Sequence, residues 1–171
     1  CAAIAATWDL VENNPTPIIE ALHELTGLPH RLERVREING VTFYNDSFAT
    51  GAGASVAALK AVPGEKVMII GGYDRGLDYS PLTNAIAGDP LAVKTLLIGK
   101  TGPKLAETFD TLGYKNYQRI EAKDMKSIVA SGLAAAKSGQ SVVFSPGFAS
   151  FDMFKDFEDR GLQFKKEVDA L

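Results

Sequence analysis

Five short apolar runs, at 41–44, 66–70, 94–98, 116–120 and 141–144, alternate with longer segments of helical character. Those segments fall at 52–62, 81–87, 103–112 and 122–137, with a last one from Phe151 onward. Strands that alternate with helices pair in parallel through crossover connections, and their apolar runs are covered on both faces. The pattern predicts an α/β fold, Rossmann-like, with a mostly parallel sheet and helices on both faces. Asn39-Gly40, between 34–38 and 41–44, is a type I′ turn signal and adds an N-terminal β-hairpin. Further upstream, Thr16 is placed as an N-cap with Pro17 at the first helical position, and Gly27 closes that helix. One boundary suggests itself, near 27–31. With 171 residues, 46% hydrophobic and 23% charged, the chain has the apolar content for one packed domain.

Several function classes drop out. A net charge of −3 leaves no basic footprint for nucleic acid. No apolar run approaches the roughly 20 residues that cross a bilayer. Cys1 is the only cysteine, so no internal disulfide forms, which agrees with a reducing cytoplasm. The chain starts without Met in Ala-rich helical material, and reads as a piece of a longer protein.

In an open parallel sheet the loops after the strands emerge along the carboxyl edge, where such folds bind ligands. Here they are Asn45-Asp46-Ser47-Phe48-Ala49-Thr50, Gly71-Gly72-Tyr73-Asp74-Arg75-Gly76, Gly99-Lys100-Thr101-Gly102 and the stretch from Ser145 to Gly161. Asp46, Ser47 and Thr50 suit a ribose, a phosphate or a zwitterion, and equally suit helix capping. Arg75 either grips a carboxylate bidentately or pairs with Asp74 in a tight turn. Gly99-Lys100-Thr101 ends like a phosphate loop, but Lys94 occupies the place of its first glycine. Gly51-Ala52-Gly53 has Val56 where a dinucleotide fingerprint needs a third glycine. No self-sufficient nucleotide-binding loop remains.

His30 reads as structural, Arg31 as a surface residue, and His23 has no role. Phe154, Phe157, Gly161, Phe164 and Val168 follow helical spacing and read as core, with Ser150 as N-cap. Asp152, Asp156, Glu158 and Asp159 fall in the first half of that helix, where its dipole favours acids. Ser145-Pro146-Gly147-Phe148-Ala149 reads as an exposed apolar loop in need of a partner.

Four motifs occur in order: Gly27-Leu28-Pro29-His30-Arg31-Leu32-Glu33; Asn45-Asp46-Ser47 with Ala49-Thr50; the Gly71-Gly72 loop with its cation; and Ser145-Pro146 followed by Ala149-Ser150-Phe151-Asp152, Phe154-Lys155, Phe157 and Arg160-Gly161. Together they resemble the C-terminal domain of the Mur ligases, over residues 27–171. Residues 1–26 resemble the end of that family's central ATPase domain and its linker.

The resemblance implies an ATP-dependent acid–amino-acid ligase of peptidoglycan precursor synthesis in the bacterial cytoplasm, nearest to the branch that adds D-glutamate to UDP-MurNAc-L-alanine. ATP converts the carboxylate to an acyl phosphate, the glutamate amine attacks, and amide, ADP and phosphate result. It implies that Arg31 contacts the nucleotide phosphates and Asp46 the ribose. Thr50, Arg75, Ser150, the Phe151 backbone and Phe157 would hold the amino acid. The P-loop and Mg2+ would belong to the central domain, with no metal ligand here. The partners would be the N-terminal and central domains, with no nucleic acid and no membrane. Four positions depart from the family: Phe48 replaces the usual Lys, Gly51-Ala52 replace Asn-Pro, and Arg75 stands where Lys is common. A ligase for another amino acid such as L-glutamate, a folylpolyglutamate-like enzyme, and a stand-alone small-molecule-binding domain stay open.

Overall fold

The computed structural model describes residues 2–11, 14–24, 27–122 and 124–171. Helices α1 (Ala2–Thr7) and α2 (Thr16–Glu24) come first, with a short 3-10 turn (Asp9–Val11) between them. Thr16 is the first helical residue rather than the cap, and its N–H donates to Asn14 Oδ1 at 3.1 Å. Gly27 lies beyond the end of α2 at Glu24; residues 25 and 26, between them, lie outside the described residues.

Asn39 and Gly40 both take positive φ (53° and 78°), as a type I′ turn demands. They fold β1 (Glu33–Ile38) antiparallel onto β2 (Val41–Asn45), with a bulge between Arg34 and Arg36. From β2 onward the chain alternates: α3 (Ala52–Ala61), β3 (Lys66–Gly71), α4 (Ser80–Ala87), β4 (Ala92–Ile98), α5 (Gly102–Thr111), β5 (Tyr117–Arg119), α6 (Met125–Ala135), β6 (Ser141–Phe144) and α7 (Phe157–Asp169). The sheet order is β1-β2-β6-β3-β4-β5, and every pair except β1–β2 is parallel.

Successive residues of a strand point to opposite faces, so β3 feeds two cores. Met68 and Ile70 join Leu59, Leu82, Leu105 and Phe109 from α3, α4 and α5. Val67 and Ile69 join Ile128, Val129, Phe164 and Val168 from α6 and α7. Each such side chain contributes roughly 1.5–3 kcal/mol of burial. The Phe144 and Phe164 rings stack at 4.6 Å, clamping α7 onto β6.

This two-sided cover creates the site. β2 and β3 send their chains to α3 and α4 on one face, whereas β6, lying between them, sends its chain to α7 on the other. Connections that part to opposite faces leave a crevice at the carboxyl ends of those strands, the usual ligand position in open α/β sheets.

Two expectations for the stretch after β6 need correction. The last helix begins at Phe157, not Phe151, because Asp156 is extended (φ −156°) and its side chain accepts the Asp159 N–H at 2.8 Å. Ser150 is therefore no N-cap; its carbonyl takes the N–H groups of Met153 and Phe154, turning the chain before the helix starts. Asp152 consequently lies outside the helix, and Phe154 packs on the core from the turn. The loop 145–149 is buried rather than exposed. Phe148 is 1% exposed, with its ring 3.9 Å from that of Tyr79.

Candidate active site

Arg31 is presented by a strained segment. His30 (φ 61°) and Leu32 (φ 47°) on either side of it are left-handed, a conformation costing roughly 1–2 kcal/mol per non-glycine residue. Side chains hold both in place. The His30 N–H donates to Glu33 Oε2 at 3.0 Å, and the buried His30 ring takes Asn45 Nδ2 at 2.9 Å on its Nδ1. The Leu32 N–H donates to Asp46 Oδ1 at 3.0 Å. Glu33 also pairs with Lys165 of α7; burial raises its carboxyl pKa, but the Lys165 and His30 hydrogen bonds outweigh that and hold it below the ordinary value. Arg31 itself is exposed, its guanidinium carbon 5.4 Å from the centroid of the Phe48 ring.

Asp46 is 5% exposed, and its second oxygen accepts the Ser145 hydroxyl at 2.6 Å. Burial pushes its carboxyl pKa up, opposed by the Ser145 and Leu32 hydrogen bonds and by the charge of Arg31.

The β3–α4 loop carries Arg75. Gly71 opens it at φ 121°, where a Cβ would stand 2.1 Å from the Ile98 carbonyl oxygen, so the β3–β4 rim closes only on glycine. Asp74 does not pair with Arg75. Its oxygens accept the Gly76 N–H (2.8 Å), the Tyr79 hydroxyl (3.2 Å) and Lys104 Nζ (3.1 Å). Arg75 instead donates from Nη2 to the Thr50 carbonyl at 2.8 Å, which joins the β3–α4 and β2–α3 loops.

The expected residues thus share one rim. Thr50 and Arg75 are in direct contact. Ser150 is buried, and beside it the exposed Phe151 ring meets Tyr73 edge-on at 6.3 Å. Phe157 meets Phe48 edge-on at 4.9 Å, and its carbonyl accepts the Ser47 hydroxyl at 2.8 Å. The apolar surface at this edge comes from Phe48, Tyr73 and Phe151, not from 145–149. A cavity of about 260 Å³ opens between Leu28, Pro29, Arg31, Phe48, Phe157 and Glu158.

Sequence reading gave Arg160 no role. Its side chain is 1% exposed and joins Ser47 to Phe148 through three hydrogen bonds of 2.8–3.1 Å. Burial lowers its pKa to about 10, against the stabilising charge of Asp152. The signal was a cation three residues after Phe157 and four before Phe164, on the apolar side of a helix, where a charge is retained only with buried acceptors. Asn45 was missed for a different reason, since its partners His30 and Gly161 lie far from it in sequence.

Among the described residues no group of three or more His, Cys, Asp or Glu side chains could hold a metal ion. No helix among them is long and apolar enough to cross a membrane.

The family model described as "Mur ligase, glutamate ligase domain" matches residues 30–148. The UDP-N-acetylmuramoylalanine--D-glutamate ligase of Symbiobacterium thermophilum is 42% identical over 171 residues, covering 99% of this chain and 36% of the relative. The ligase of the same name from Caldicellulosiruptor saccharolyticus is 40% identical over 160 residues, covering 94% and 34%. The chain spans about a third of the length of these relatives. Among solved structures, the MurF ligase of Thermotoga maritima in complex with ADP superposes with a TM-score of 0.60 at 21% identity, covering 99% of this chain and 37% of that one. A crevice at the strand ends, four rim loops and a family match over most of the sequence lead to one assignment: the chain belongs to the Mur ligase family, in its glutamate ligase domain.

Proposed function

We propose that the full-length protein containing this domain joins D-glutamate to UDP-MurNAc-L-alanine with ATP, in the cytoplasm, as a step of peptidoglycan precursor synthesis. The observation that carries this reading is the Arg75–Thr50 contact. It brings an exposed guanidinium with unspent N–H donors to the rim where Phe151 and Phe157 also lie. A dicarboxylic amino acid needs such a cation, with backbone or hydroxyl donors to fix its orientation. Thr50, Arg75, Ser150, the Phe151 backbone and Phe157 hold the amino acid on this reading. ATP supplies the phosphoryl group that activates the acceptor carboxylate, and it is held with Mg2+ mainly by the central domain. The exposed donors of Arg31 fit its phosphates. Asp46 takes the ribose through lone pairs left over from Leu32 and Ser145.

Residues 27–171 form the amino-acid-binding domain, and residues 1–26 the linker and the end of the ATPase domain. Closure of the domains over the rim excludes the water that would hydrolyse an acyl phosphate. The 171-residue chain alone releases no phosphate on this reading.

The test is phosphate release by the full-length protein with UDP-MurNAc-L-alanine, ATP and either D- or L-glutamate. Release that depends on D-glutamate is expected. Release that depends on L-glutamate instead would move the chain to another specificity, and none with either would remove the ligase reading.

A further inference from the structure

Phe48 is an exposed aromatic residue of the rim. It is 46% exposed, although its neighbours Ser47 and Ala49 are 0% and 1% exposed. Its N–H donates to the His30 carbonyl at 2.9 Å, which ties Phe48 to the same strained segment that carries Arg31. On one side the Phe157 ring fixes it edge-on, at 4.9 Å and 82°. Over the ring lies the Arg31 guanidinium, 5.4 Å from the centroid. All three residues line the cavity of about 260 Å³.

An exposed arginine normally samples many rotamers, and fixing it with a carboxylate would consume its N–H donors and cancel its charge. An aromatic face restrains a guanidinium through the ring quadrupole and leaves those donors free. Arg31 makes no ion pair or side-chain hydrogen bond among the described residues. The nearby carboxylates are otherwise engaged: Asp46 with Ser145 and Leu32, Glu33 with Lys165 and His30. Glu158, on the cavity rim, is exposed.

We propose that Phe48 is a positioning residue whose ring, braced by Phe157, holds the Arg31 guanidinium at the mouth of this cavity to receive a phosphate group. The proposal rests on the reading of Arg31 as a ligand of the nucleotide phosphates. The ring acts only through Arg31.

The test is a double-mutant cycle in the full-length protein, read as the KM for ATP, with thermal unfolding of each variant as a check on folding. Phe48→Leu keeps an apolar side chain but removes the ring; it is expected to raise the KM for ATP about two- to fivefold, the worth of an exposed cation–π contact. Phe48→Tyr is expected to restore the parent value. With Arg31→Met already in place, Phe48→Leu is expected to add nothing. If the Phe48→Leu effect is the same with and without Arg31, or persists in Phe48→Tyr, the ring acts by packing and the proposal fails while the phosphate role of Arg31 stands. If Arg31→Met leaves the KM for ATP unchanged, the phosphate reading itself fails and the proposal with it.

Discussion

The Arg160 guanidinium takes hold of Ser47 twice: Nη2 donates to its carbonyl oxygen at 2.8 Å and Nε to its hydroxyl oxygen at 2.9 Å. The same hydroxyl donates onward to the Phe157 carbonyl, at the start of the helix that carries Arg160. A third bond, from Nη1 to the Phe148 carbonyl at 3.1 Å, draws in the loop after β6. One buried cation therefore sets the spacing of two loops that bear expected substrate ligands.

Arg160→Met should be strongly destabilising. It leaves the Ser47 and Phe148 carbonyls without these donors in a buried place, at about 1–3 kcal/mol for each unsatisfied group. The urea midpoint of the variant is expected to fall with little change in slope. A midpoint within error of the parent would mean that water or backbone shifts replace the guanidinium.

Gly161→Ala should also destabilise, against the usual trend. Alanine in a helix interior is favoured over glycine by roughly 1 kcal/mol. At 161, however, the added Cβ would stand 2.2 Å from His30 Nδ1 and 2.8 Å from its Cγ. The His30 ring must move, and with it the segment that presents Arg31. A net loss of about 1–3 kcal/mol, typical of an overpacked core, is expected by thermal unfolding. A gain in stability would show that His30 has room to retreat.

Arg75→Ala in the full-length protein should act on the amino acid. If Arg75 meets a substrate carboxylate on closure, a hydrogen bond to a charged group is worth about 1.5–3 kcal/mol, or roughly ten- to a hundredfold in the KM for glutamate. The KM for ATP should stay near the parent value. The reverse pattern would place Arg75 on the nucleotide.

Two carboxylates should pull stability in opposite directions with pH. Glu33 has its pKa lowered from 4.5, so its contribution is present above that value and is lost as pH falls through the folded pKa. Asp46 has its pKa raised from 3.8, so the folded state holds its proton more tightly, and that contribution is lost as pH rises through the folded pKa. Urea midpoints measured between about pH 3 and 7 should fall less on the acid side for Glu33→Gln than for the parent protein. For Asp46→Asn the rise from acid to neutral pH should steepen, because the opposing slope is gone.

Local sequence determined the elements and their order. The Asn39-Gly40 turn, the alternation of apolar runs with helical segments, and the position of the loops along one sheet edge all follow from backbone preference and side-chain period, which act over a few residues. The rim loops at 45–50, 71–76 and 99–102 were legible for the same reason: they lie directly after strands. Tertiary structure decided which groups are used up within the fold and which face outward. Asp156 took the cap expected at Ser150, because an acceptor in extended backbone three residues before a free N–H outcompetes a hydroxyl in a turn. Phe148, expected at the surface, found Tyr79 at a distance no local pattern encodes. Arg160 is buried because acceptors from two other loops meet it there, and Arg31 is outside because the buried carboxylate near it, Asp46, already has partners. Hydrogen-bond partners joined across 100 or more residues, as Arg160 is to Ser47, exist only once the sheet has brought the loops together.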